Sequence, residues 1–258
     1  YFPSDFRLWD PKIINLFDKK QYLHQGKSYY LPFEHTICIS KNWNWFQKST
    51  QLPTRSVDEL EELFYWTTAN DNSLVMNIPP VATGRIREYE ANTAIDLAKR
   101  LGLTHNKPLP KNGKIISLLR PAVANSTWPD NNNEYAAAKI NDGKMDTRWA
   151  AKDTTAQLEI TLDVNQPFDK ISIFEYQDVK NATDGFSQLR EPRIKAYNID
   201  ILVNNQWQTI YLAEETIGDC KVIRLPRKYK TNKLRLNITR ATAPPSIYEV
   251  VVIDRLNK

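Results

Sequence analysis

Gln157-Leu-Glu-Ile-Thr-Leu162 and Lys233-Leu-Arg-Leu-Asn-Ile238 alternate polar and apolar residues without a break, and Lys170-Ile-Ser-Ile-Phe174 does so as far as Ile173. Successive side chains of an extended chain point to opposite faces, so this period of two marks strands with one buried and one wet face. Tyr197-Asn-Ile-Asp-Ile-Leu202, Lys221-Val-Ile-Arg-Leu225 and Glu249-Val-Val-Val-Ile253 continue the series, with turn-forming residues between the runs. No long helical pattern follows Leu103. The expectation for this half is an all-β, antiparallel jelly-roll β-sandwich.

Toward the N-terminus the rhythm changes. His105–Gly113 is rich in Pro and Lys and reads as a linker. Before it, Pro11 opens a short helical pattern through Phe17, and Thr36-Ile-Cys-Ile-Ser40 is β-rich. Ser56-Val-Asp-Glu59 is a capping box, in which the Ser56 hydroxyl accepts from the third helical N–H. It opens a helix that sets Leu60, Leu63 and Phe64 on one face. Ser73–Ile78 is a nearly continuous apolar run, the pattern of a strand buried on both faces of a parallel sheet, and Pro79 and Pro80 stop it. A second helix is expected over Ile86–Leu101, with Gly102 as its stop. Strand, helix, strand, helix is the rhythm of an α/β barrel. The expected domains are therefore residues 1–112, a C-terminal portion of a TIM-type barrel with its linker, and residues 113–258, the sandwich.

Composition narrows the chemistry. The chain has 258 residues, 41% hydrophobic and 25% charged, which is globular in character. Its net charge of +5 is spread among 30 acids, so a mixed solvated surface is favoured over a nucleic-acid partner. No apolar run reaches the length of a membrane span. Cys38 and Cys220 fall in different halves and form neither a disulfide framework nor a cysteine metal site. With His24, His35 and His105 as the full histidine complement, carboxylates are left as the reactive groups. Seven Trp and twelve Tyr supply flat faces suited to stacking on sugars, although core packing accounts for most of them.

Two motifs carry a resemblance. Tyr30-Leu-Pro-Phe-Glu-His-Thr-Ile-Cys-Ile-Ser-Lys-Asn-Trp-Asn-Trp45, followed by Asn72-Ser-Leu-Val-Met-Asn-Ile-Pro-Pro80 and Gly84-Arg-Ile86, resembles the α-L-fucosidases of glycoside hydrolase family 29. The resemblance implies retaining hydrolysis of terminal α-L-fucose, with α-1,3/1,4-linked branches favoured, by a secreted or periplasmic enzyme acting on fucosylated glycans. Such an enzyme sets two carboxyls about 5–5.5 Å apart, one attacking the anomeric carbon and one protonating the leaving oxygen. Glu34 matches the acid/base, with a surface loop glutamate as the alternative. His35, Trp43 and Trp45 are substrate-binding candidates, and Asn77 sits at the end of a barrel strand. The nucleophilic Asp of the family lies on an earlier strand, and Asp5, Asp10 and Asp18 lack its Trp-rich setting. The chain then reads as the second piece of a longer or cleaved polypeptide, whose missing N-terminal barrel portion is its partner. A carbohydrate-binding or adhesion protein without catalysis is the rival reading.

Ala138-Lys-Ile-Asn-Asp-Gly-Lys-Met-Asp-Thr-Arg-Trp-Ala150 resembles the signature of discoidin-like domains, also called coagulation factor 5/8 type C domains, which include carbohydrate-binding module family 32. That resemblance implies a structural Ca²⁺, held by the carbonyls of Lys139 and Lys144, the Asp142 side chain, Thr147 and Glu249; a metal-free turn capped by Asp142 is the alternative. Trp149 reads as core beneath that loop. Trp128, Phe186, Arg190 and Trp207 are candidate sugar contacts, and Asn125, Asn181 and Asn237 open Asn-x-Ser/Thr sequons.

Overall fold

The computed structural model describes residues 5–9, 15–41, 54–69, 71–103, 112–130, 132–181 and 188–255. The chain divides into two compact units, one of Tyr1–Lys111 with Ala182–Gln188 and the other built from Asn112–Asn181 and Leu189–Lys258.

The first unit holds strands β1 (Arg7–Trp9), β2 (Gln21–His24), β3 (Lys27–Tyr30) and β4 (Phe33–Cys38), helix α1 (Val57–Thr68), strand β5 (Ser73–Asn77) and helix α2 (Glu88–Leu101). β1, β4 and β5 form a parallel sheet in that order, with Leu8 beside Glu34 and Glu34 beside Ser73. Parallel neighbours need a crossover, and α1 provides it between β4 and β5. At its start the Glu59 amide donates to the Ser56 hydroxyl at 3.1 Å, the first of the two bonds of a capping box. The Glu59 carboxylate pairs with Arg55. α2 ends at Gly102, whose φ of 62° is left-handed.

One expectation is corrected. Ser73–Asn77 is not buried on both faces: Ser73 and Val75 are exposed, and Leu74, Met76 and Asn77 are half-buried. Among the described residues β5 pairs with β4 alone, so it is an edge strand whose apolar run finds cover on one side. Among the described residues this sheet does not close into a barrel. Most of the Pro11–Phe17 pattern and of the 105–113 segment lies outside the described residues, as do Trp43 and Trp45.

In the second unit the strands are β6 (Lys114–Ile115), β7 (Ala122–Ala124), β8 (Trp149–Ala150), β9 (Ala156–Thr161), β10 (Phe168–Glu175), β11 (Gln177–Asn181), β12 (Gln188–Pro192), β13 (Ile194–Val203), β14 (Gln206–Ala213), β15 (Lys221–Tyr229), β16 (Lys233–Ala241) and β17 (Ser246–Asp254). One sheet runs β15-β10-β17-β6, with β8 also on β17; the other runs β14-β13-β16-β9-β7. All these pairings are antiparallel. The inward residues of both sheets share one core, including Leu158 and Ile160, Ile171 and Ile173, Ile199 and Ile201, Leu234 and Leu236, and Val250 and Val252. The period of two therefore does what it predicts, placing every second residue inside. β10 exceeds it: flanked by β15 and β17, it is buried along its whole length, Lys170 and Ser172 included.

The sandwich closes at Gly113. A Cβ there would lie 1.7 Å from the Asp254 carbonyl oxygen, so the first residues can pair with the last only if this position has no side chain. We expect Gly113→Ala to lower stability by about 1–3 kcal/mol through forced backbone movement. Urea denaturation of the full chain checks this, and an unchanged midpoint would show that the approach is not tight.

Candidate functional site

Asp142, Gly143, Lys144 and Thr147 follow a 3-10 turn (Ala137–Asn141), and β17 delivers Glu249 to them. Buried Asn141 fixes the approach, its side-chain amide donating to the carbonyls of Ser117 (2.7 Å) and Arg120 (2.8 Å). Gly143 has a φ of 78°, a conformation that costs a residue with Cβ about 1–2 kcal/mol. That turn aims two amides inward: Gly143 and Lys144 donate to Glu249 Oε1 at 2.7 and 3.0 Å. The Thr147 hydroxyl lies 2.9 and 2.8 Å from the two oxygens of Asp142, and the Lys139 ammonium lies 4.0 Å from Asp142 Oδ2.

Sequence-predicted Lys139, Asp142, Lys144, Thr147 and Glu249 thus meet in one place. Burial pushes the Glu249 carboxyl well above its ordinary value, against the pull of the two amides, and neighbouring Asp142 pushes it further. Two adjoining carboxylates, one of them buried, call for a proton or a cation. Among the described residues no group of three or more His, Cys, Asp or Glu gathers. An ion here would complete its shell from carbonyls and the Thr147 hydroxyl, the oxygen set that hard divalent cations prefer. Trp149 is fully buried, its indole N–H donating to the Ser126 carbonyl at 3.2 Å.

A second cluster lies at the end of the sandwich away from Gly113, where β17 begins. The Arg148 guanidinium carbon is 4.8 Å from the Tyr135 ring centre and 4.1 Å from that of Tyr176. Arg193 is 5.1 Å from the same Tyr176 ring, and Tyr176 and Tyr248 are 5.9 Å apart. All five side chains are partly exposed. Their positions are fixed from behind. Arg148 donates to the Ser246 hydroxyl at 2.8 Å; Arg193 donates to both oxygens of Asp178 and, at 2.7 Å, to the Pro244 carbonyl. Asp130 accepts the amides of Asn132, Glu134 and Tyr135, which shapes the loop carrying Tyr135.

None of these five residues stands out in the sequence. Arg148 precedes the motif tryptophan, and Tyr176 and Tyr248 lie beside strand ends, but nothing local says that their rings converge. Of the sequence candidates, Trp128 is exposed on the loop before Asp130. Trp207 lies elsewhere, on the outer face of the other sheet, beneath Arg235 at 4.0 Å. Phe186 and the Arg190 side chain lie outside the described residues. Asn237 is buried and donates to Asp200 at 2.6 Å, so this sequon is occupied by the fold.

In the first unit His35 is fully buried, its Nδ1 3.3 Å from the Thr67 hydroxyl of α1. The neighbouring side chain on a strand points the other way, so half-buried Glu34 faces the side of the sheet opposite α1. It is the second residue of β4, about 13 Å before the strand's C-terminal end at a rise of ~3.3 Å per residue. No helix of the described residues is long and apolar enough to cross a membrane.

Burial also lifts Glu175, from an ordinary 4.5 to about 7. A carboxyl raised on folding stabilises the native state fully below its unfolded value, and this contribution is lost as pH rises through the folded one. Glu175 and Glu249 both act in this sense. In chelator-treated protein, stability should fall between pH 4.5 and 8, Glu175 alone accounting for up to about 3 kcal/mol. Chemical denaturation at fixed pH values measures the slope, and a rising profile would contradict it.

The family comparison matches this half of the chain. The F5/8 type C domain family covers residues 121–250, which is half of the sequence. No curated protein matches. Among solved structures, a GH29 fucosidase from Ruminococcus gnavus in complex with fucose is 17% identical, with a TM-score of 0.46, covering 88% of this chain and 42% of its own. Chitosan-binding module 2 from a Paenibacillus sp. IK-5 chitosanase/glucanase, in complex with chitotriose, is 17% identical over 54% of this chain and 98% of its own, with a TM-score of 0.43. A Clostridium perfringens CBM32 module, in complex with GalNAc-β-1,3-galactose, is 20% identical over 52% and 94%, with a TM-score of 0.42. The chain spans less than half the length of the fucosidase structures it resembles. By the match over residues 121–250, the chain belongs to the F5/8 type C domain family.

Proposed function

We propose that the sandwich is a carbohydrate-binding module and that its site is the Tyr135–Arg148–Tyr176–Arg193–Tyr248 face. The observation that carries this reading is Arg148 stacked between two tyrosine rings on a partly exposed end of a rigid scaffold. Tyrosine faces take the apolar faces of sugar rings, and guanidinium N–H groups donate to pairs of hydroxyls. Arg148→Ala should weaken glycan binding about tenfold or more while leaving the fold intact, because Arg148 is partly exposed. Calorimetric titration with fucosylated oligosaccharides, chitotriose and GalNAc-β-1,3-galactose tests this. Binding that survives both Arg148→Ala and Tyr176→Ala would move the site elsewhere.

The Asp142–Glu249 loop is proposed to hold a structural Ca²⁺. When bound, the ion supplies charge that lets Glu249 and Asp142 both stay ionised. The residues of this chain do the rest: Gly143 turns the loop, its amide and that of Lys144 orient Glu249, and Thr147 orients Asp142. The Lys139 and Lys144 carbonyls remain the proposed further donors.

The first unit is proposed to be the C-terminal portion of a retaining α-L-fucosidase barrel, acting outside the cytoplasm on fucosylated glycans. Glu34 would act as acid/base, opposite an Asp contributed by the barrel portion missing from this sequence. The parallel β1-β4-β5 order, the α1 crossover and the side of the sheet that Glu34 faces support this reading. His35, packed against α1, is then a positioning residue; Trp43 and Trp45 remain substrate-contact proposals. In the full-length protein, Glu34→Gln should cut hydrolysis of an aryl α-L-fucoside by about 10²–10⁴. No turnover by the unaltered protein would leave the non-catalytic carbohydrate-binding reading.

A further inference from the structure

The Glu175 carboxylate is buried and belongs to neither motif that the sequence singles out, yet three backbone amides converge on it. Its Oε1 accepts from Arg193 and Ile194, each at 2.7 Å, and its Oε2 accepts from Gly218 at 2.9 Å. Its own amide donates back to the Gly218 carbonyl at 3.3 Å. It stands at a register shift between β10 and β17, one residue before Tyr176. One side chain therefore joins the end of β10, the start of β13 and the loop before β15. Two of the joined segments carry Tyr176 and Arg193, which stack on each other.

We propose that Glu175 is a positioning residue for the Tyr176–Arg193 part of the aromatic–arginine face, and that its proton sets how firmly that face is held. An ionised carboxylate offers acceptors to all three amides in charge-assisted bonds, whereas the neutral acid gives one oxygen a hydrogen and weakens them. The charged and titratable groups that act on it are Arg193, Lys195 and Tyr197 around the start of β13; Tyr176 follows it in sequence, Asp178 holds Arg193 and Asp219 follows Gly218. Burial pushes the carboxyl up, and the three amides and then Lys195 pull it back toward ionisation, which leaves the change within reach of neutral pH. No histidine follows His105, so none in the sandwich can mimic this titration. The consequence for ligand affinity rests on the carbohydrate-binding reading; the positioning role does not.

The test is an NMR titration of the whole chain from pH 5 to 9, joined to binding measurements at the two ends of that range. The amides of Arg193, Ile194 and Gly218 should shift together with one midpoint near 7, and the Tyr176 ring signals should follow it. The Gly143 and Lys144 amides report Glu249 separately. Lys195→Met, a change at a partly exposed residue, should raise the Glu175 midpoint, and Glu175→Gln should abolish it. Affinity for the best glycan should be about three- to tenfold higher at pH 8.5 than at pH 5.5, and pH-independent in Glu175→Gln. Tyr176 signals that stay still while the three amides titrate would overturn the positioning role, as would amides that do not titrate at all. Equal affinity at both pH values, with the amides titrating, would overturn the coupling. Absence of binding at both pH values would overturn the carbohydrate-binding reading instead, and the Tyr176 titration would still decide the role of Glu175.

Discussion

β17 is the strand on which the sandwich depends. It pairs with β10 along one side and with β6 and β8 along the other, and its Ile247, Val250 and Val252 enter the core shared with the opposite sheet. Its first residues meet Trp149 and Ala150, and its last meet Lys114 and Ile115. A slip of one residue would turn that apolar set outward and Glu249 away from its loop, so core packing fixes the register. The same constraint delivers Glu249 to the amides of Gly143 and Lys144, and the register shift beside it carries Tyr248 toward Tyr176.

The buried polar groups of this domain work as joints between strands and loops. Ser117 donates to the Val250 carbonyl and accepts from the Val252 amide, locking the segment after β6 onto β17. Asn141 fixes the turn before Asp142, Glu249 the turn after it, and Glu175 the junction of β10, β13 and the Gly218 loop. Each burial is costly unless its partners are present, which makes each joint specific to one arrangement. Asp200 shows the other balance. Burial raises its carboxyl, but Thr209, Arg235 and Asn237 outweigh it, and the group ends below its ordinary value. Glu175 and Glu249 lie on the opposite side of that balance: backbone amides, joined at Glu175 by the charge of Lys195, do not offset their burial.

Much of the sandwich is legible because its strands are half-buried. Leu234 and Leu236 alternate with Lys233 and Arg235, and the alternation is the physical signature of one face inside and one outside. The Asp142-Gly143 loop is legible for a similar reason: a short acid, a glycine able to adopt a φ of 78°, and a tryptophan to bury beneath them are local requirements. The apolar run Ser73–Asn77 is less legible, because a continuous hydrophobic stretch does not say how many neighbours a strand has, and among the described residues β5 has one.

The sequence by itself determined the period of the half-buried strands, the cap at Ser56, the stop at Gly102, the turn at Gly143 and the Asp142–Thr147 part of its loop. All of these are set by interactions within a few residues or by a motif of fixed spacing. Only the tertiary structure decided that Tyr135, Arg148, Tyr176, Arg193 and Tyr248 form one face, and that Glu175 holds part of it. Those residues come from separate loops and strand ends, and strand register and core packing, not any local pattern, bring them to the same end of the sandwich.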